Sequence, residues 1–122
     1  MRWVTLLLSL LWTSTALRAE FRAGAAKVDV TPPAEMLPVI QNGGFLSQTV
    51  GKVSDPLHAR ALVIDDGTGP IAICVVDSCM LPTPLCDKAK AIVAERTGIK
   101  IERMLISANH THAAPSVMDM CL

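Results

Sequence analysis

The sequence has no tyrosine, and its two tryptophans, Trp3 and Trp12, both fall within the first dozen positions. Beyond them only Phe21 and Phe45 are aromatic, so any core rests on Val, Ile, Leu, Met and Ala. An excess of charge is missing as well. Eleven lysines and arginines balance eleven acids, which removes the electrostatic basis for nucleic acid or an anionic membrane surface as a partner. No apolar run reaches the roughly 20 residues needed to cross a bilayer as a helix. No C-x-x-C occurs, which argues against a zinc ribbon. At 122 residues the chain has room for one small domain and no more.

What is present begins with a processing signal. Met1 and Arg2 give a short positive start, Trp3 to Trp12 is an apolar run, and Thr13, Ser14, Thr15 and Ala16 are small or polar. That order describes a secretory signal peptide, cleaved after Ala16 or Ala19, and predicts a secreted or periplasmic protein. Residues 1–19 are therefore set apart from 20–122. In an oxidising compartment Cys74, Cys79, Cys86 and Cys121 form an even set that could pair, although Cys74 lies inside an apolar run and reads as a small buried hydrophobe. Spacing does not decide the pairing.

The remaining pattern predicts an α/β fold with a mixed sheet. Residues 23–30 alternate in their second half and read as a half-buried strand ended by Thr31-Pro32-Pro33. Residues 34–56, with Pro38, Asn42-Gly43-Gly44, Gly51 and Pro56, read as a long loop of functional size. Residues 57–64 and 71–76 flank a Gly-bearing turn and read as a hairpin. The second of these, IAICVV, does not alternate, which suggests burial on both faces. Residues 83–98 read as a helix with Thr83 as cap, Pro84 in the first turn and Gly98 as the stop, its apolar face made of Leu85, Ala89, Ile92 and Val93. A short strand at 104–107 completes a βαβ unit whose two strands run parallel.

Parallel strands bring their carboxyl ends to one edge, where open α/β sheets bind ligands. Asp77-Ser78 follows the first strand and Asn109-His110-Thr111-His112 follows the second. Two histidines spaced i, i+2 point apart on a helix. In an extended segment they share a face, with α-carbons about 6.6–7 Å apart, close enough to ligate one ion. His110 and His112 are thus candidate metal ligands, one short of the usual three. His58 starts a different strand and is not placed to join them. Asp77 ends an apolar strand with a charge. It serves either to orient an imidazole from outside the ligand shell or to cap a turn through Ser78 and Cys79.

The run Met104-Leu105-Ile106-Ser107-Ala108-Asn109-His110-Thr111-His112-Ala113-Ala114-Pro115-Ser116 resembles the zinc-binding motif of the neutral/alkaline non-lysosomal ceramidase family. Three further stretches agree in order and spacing: Ala23 to Pro32, Pro56 to Val63, and Val75-Val76-Asp77-Ser78. Asn109 stands where the family pattern expects Thr, and Ala113-Ala114 where Ser-Gly or Ser-Ala is common. The resemblance implies that residues 20–122 are the N-terminal portion of a larger catalytic domain, truncated at the C-terminus. It also implies a hydrolase that cleaves the amide of ceramide or a related N-acyl lipid, with zinc on His110 and His112. Such a substrate allows peripheral membrane contact. The family's other ligands, a His, a Glu and a Tyr, and its serine nucleophile come later than these residues, so no catalytic residue is identifiable. A metallo-β-lactamase-like hydrolase also uses H-x-H after a strand, but it expects Asp-His two residues further on, where Ala114-Pro115 stands. The non-enzymatic alternative is an inactive fragment or an exported binding module.

Overall fold

The computed structural model describes residues 20–44, 46 and 48–118. The expected signal segment, Phe45 and Cys121 lie outside them. The architecture is α/β: a four-stranded mixed sheet, one helix and a separate two-stranded ribbon. In chain order the strands are β1 (Arg22–Asp29), β2 (Val39–Gln41), β3 (Gln48–Val50), β4 (His58–Asp65), β5 (Ile71–Val76) and β6 (Met104–Ala108), with α1 (Thr83–Thr97) between the last two. The main sheet has the order β1-β4-β5-β6. β1 pairs antiparallel with β4, and β4 with β5, while β5 and β6 run parallel, with Ala72 opposite Met104 and Val76 opposite Ala108.

The hairpin and the βαβ unit stand as the sequence pattern predicts, and β4 and β6 each run one residue further. The β4–β5 turn is closed by its own carboxylates. Asp65 accepts from the Gly67 N–H at 2.9 Å, and Asp66 from the Thr68 N–H at 3.0 Å and hydroxyl at 2.6 Å. Gly98, at φ 74°, takes the left-handed conformation that ends α1, and its N–H donates to Ala94.

Several expectations are corrected. β1 is exposed along its whole length rather than half-buried, because among the described residues no second layer reaches this edge strand. Residues 34–56 are not loop alone: they hold a short 3-10 helix, Ala34–Met36, and the β2–β3 ribbon. Three-residue strands are too short to show alternation, although Asn42-Gly43-Gly44 was a turn signal. Pro82, not Thr83, caps α1, and Thr83 is already helical with no side-chain capping bond. The covered face of α1 is rotated as well. Cys86, Ala89, Val93 and Ala94 are half-buried, whereas Leu85 and Ile92 are exposed.

β5 is central but not buried on both faces, since Ile71 is exposed and its other residues are half-buried. Leu62, Ile73 and Leu105 are cross-strand partners, so they share one face. Leu62 and Leu105 there are exposed, Leu105 at 56%. The opposite face carries Cys74 and the buried Met104. Full burial among the described residues is confined to Ser78, Cys79, Ile99, Met104 and Ala114. Three of these five sit past the carboxyl ends of β5 and β6. Among the described residues burial is concentrated at that edge rather than under the helix.

Candidate metal centre

The edge is assembled from three chain segments. β5 delivers Asp77, Ser78 and Cys79; β6 delivers residues 109–114; the β2–β3 ribbon lies against the latter. Asn109 N–H still donates to Val76 O at 3.1 Å, which prolongs the parallel pairing by one bond. The chain then turns instead of continuing extended. Asn109 Oδ1 accepts from the Thr111 N–H at 3.2 Å, Thr111 Oγ1 accepts from the Ala113 N–H at 3.3 Å, and His110 between them has φ 62°.

The i, i+2 pair therefore does converge, but through a left-handed turn and not the extended backbone expected. The ring centroids of His110 and His112 are 5.0 Å apart with planes at 72°. A side chain with local hydrogen-bonding capacity at 109 favours such a turn, and Asn109 supplies it.

The structure adds a residue to the pair. Cys79, 3% exposed, brings its Sγ to 3.7 Å from His110 Nδ1. Donor atoms of Cys79, His110 and His112 lie within 4.8 Å of one another, and this group could hold a metal ion. The Cys79 carbonyl lies 2.9 Å from His110 Nδ1. A carbonyl only accepts, so Nδ1 carries the proton and Nε2 keeps the lone pair a metal needs. Sequence reasoning treated Cys79 as a possible disulfide partner. Its signal was position, two residues beyond Asp77 at the end of the strand parallel to the one bearing the histidines. Cys74, Cys79 and Cys86 are all free thiols, and burial pushes the Cys74 thiol up from its ordinary pKa.

Asp77 does not touch the imidazole of His110 or His112, and it does not cap the 78–79 turn. Its carboxylate accepts from Arg60 Nη1 at 2.8 and 2.9 Å, from the His58 N–H at 2.8 Å and from the Asn109 side-chain amide at 2.7 Å. The Arg60 guanidinium first, then the His58 N–H, holds this carboxyl below its ordinary pKa. Asp77 thus ties β4 to Asn109, the residue that sets the His110 turn. His58 lies at the start of β4 with its Nδ1 3.9 Å from Asp77 and outside the metal-competent group, as expected.

Beside the group is an open groove of about 470 Å³ between the ribbon and the sheet edge. Leu37, Val39, Val50, Val53 and Leu57 form its apolar wall; Asp77, Asn109 and Thr111 also line it, while Cys79, His110 and His112 do not. This volume falls within the usual range for small-molecule sites. No helix among the described residues is long and apolar enough to cross a membrane.

No protein-family model matches the chain, and no curated protein shows significant similarity to it.

Proposed function

We propose that residues 20–122 form the metal-binding part of a zinc-dependent amide hydrolase of the neutral ceramidase type, acting on ceramide or a related N-acyl lipid. The observation that carries this reading is the meeting of His110, His112 and Cys79 at the carboxyl edge of the sheet. Two imidazoles and one thiolate suit zinc. A tetrahedral zinc site has donor–donor edges of about 3.5 Å given Zn–N near 2.0–2.1 Å and Zn–S near 2.3 Å. The separations here, within 4.8 Å, are wider than those edges, so the three donors would draw together on binding. Bound zinc would polarise an amide carbonyl and lower the pKa of a water toward about 7.

The chain's own residues orient and shelter. The Cys79 carbonyl fixes the His110 tautomer, and the exposed faces of His110 and His112 leave a way in for substrate. The groove wall of Leu37, Val39, Val50, Val53 and Leu57 offers an acyl chain an apolar surface in a groove that Asn109 and Thr111, the chain neighbours of the histidines, also line. No nucleophile is assigned to these residues. The second reading, a metal-binding module without turnover, is favoured by the same three-donor set, which includes neither a general base nor a nucleophile.

The test is zinc content and hydrolysis of an N-acyl-sphingosine, measured side by side on the native protein and its variants. His110→Ala and His112→Ala should each abolish hydrolysis and lower zinc affinity at least tenfold, and Cys79→Ser should lower zinc affinity comparably. His58→Ala should change neither. Full zinc and full rate in the two histidine variants would sink the assignment, while zinc binding without hydrolysis in the parent would favour the binding module.

A further inference from the structure

His110 is steadied by β5, through the carbonyl and thiol of Cys79. His112 is steadied from the opposite side, by the β2–β3 ribbon. The Gln41 side-chain amide donates to the His112 carbonyl. The Asn42 N–H donates to Ala114 O at 3.2 Å, the Ser116 N–H donates to Ile40 O at 2.7 Å, and Gln41 forms a bridge with Pro115. These bonds clamp the backbone from the His112 carbonyl to Ser116 and bring the ribbon's turn against the His112 ring.

At the point of contact stands Gly43, with φ 103°. A β-carbon on Gly43 would lie 2.6 Å from His112 Cδ2 and 2.7 Å from His112 Cβ, far inside van der Waals contact with the root of that side chain. The root of an imidazole cannot yield as the tip of a lysine can. The His112 ring must leave its present orientation, or the ribbon must lift. Gly51, by contrast, has open space where its β-carbon would be.

We infer that Gly43 is a positioning residue of the metal centre: by lacking a side chain it seats His112 in the orientation that faces His110 and Cys79. The inference rests on the reading of His112 as a metal ligand. It concerns how that ligand is held, and it assigns the ribbon the task of completing a centre whose other two donors come from the main sheet. A residue that orients a ligand from outside the first shell typically changes metal affinity 10- to 100-fold when altered.

The test is a double-mutant cycle read by zinc titration, with the absorption spectrum of the cobalt-substituted protein as a second readout. Gly43→Ala should weaken zinc binding at least tenfold and give a cobalt spectrum like that of His112→Ala, while Gly51→Ala matches the parent. In the His112→Gly background, which removes the clashing β-carbon as well as the ring, adding Gly43→Ala should cost zinc binding nothing further, because its effect passes through the His112 side chain. A further loss in that background would mean general damage to the ribbon and would overturn the inference. Parent-like zinc binding by Gly43→Ala, with His112→Ala impaired, would overturn the inference and leave the metal centre standing. Parent-like binding by His112→Ala would remove the centre itself and the inference with it. If Gly43→Ala does not fold, Gln41→Ala replaces it, since it removes the clamp on the His112 carbonyl without backbone strain. A several-fold loss of zinc affinity, absent in the His112→Gly background, is then expected, and no loss overturns the inference.

Discussion

At the residue scale, Asp77 is the point on which the edge depends, though not in either role its sequence position suggested. Four contacts from three donors, Arg60 Nη1, the His58 N–H and the Asn109 amide, converge on its carboxylate, and they come from β4 and from the loop after β6. Asp77→Ala leaves the Arg60 guanidinium, the His58 N–H and the Asn109 amide without their acceptor. A buried hydrogen bond to a charged group contributes about 1.5–3 kcal/mol net. Because the Arg60 side chain is half exposed, the summed loss is expected to be only ~1–3 kcal/mol. A denaturant melt checks the magnitude. Zinc affinity should fall less than in His110→Ala, since Asp77 reaches the histidines only through Asn109. An equal or larger fall would place Asp77 in direct contact with the metal centre.

At the scale of elements, the β4–β5 hairpin is held at its tip by ionised side chains. The Gly67 N–H first, then the Arg22 guanidinium, lowers the pKa of Asp65, whose ion pair with Arg22 spans 2.9 Å and ties β1 to β4. The Thr68 hydroxyl and N–H lower that of Asp66. A carboxylate whose folded pKa lies below its unfolded value stabilises the fold above the unfolded value, about 3.9 for Asp. That contribution fades as pH falls through the folded pKa. The tip, and with it the β1 edge, is therefore expected to loosen below about pH 4. Amide exchange of residues 62–71 at pH 6 and pH 3, corrected for intrinsic rates, should show protection lost at the acidic end. Asp65→Asn combined with Asp66→Asn should flatten that dependence, and unchanged protection at pH 3 would contradict it.

At the scale of the whole molecule, the described residues cover the sheet on one face only. Among the described residues just five are fully buried, and an exposed row remains at Leu62 and Leu105. Small folds bury proportionally less surface and are marginal for that reason. The chain by itself is expected to melt over a broad range at low temperature, and a sharp cooperative transition in far-UV circular dichroism would refute this. The same preparation tests the proposed export, because intact mass should place the mature N-terminus at Leu17 or Glu20. Retention of Met1 to Ala16 would contradict a cleaved signal.

The sequence by itself determined the elements whose cause is local. IAICVV, the Pro84-to-Gly98 punctuation and the Asp-rich turn each carry their own geometry, so the hairpin, the helix and the parallel pair were legible. The placement of His110 and His112 at the carboxyl edge followed from that topology. Tertiary structure alone decided the rest. The Asn109 side chain that closes the pair's turn is held in place by Asp77, at the end of the neighbouring strand. Cys79 joins the histidines because parallel pairing sets the end of β5 beside the end of β6. Gly43 lies under His112 because a ribbon 69 positions upstream is bound to residues 112–116. A contact between residues that far apart leaves no periodicity in the chain for a sequence reading to detect.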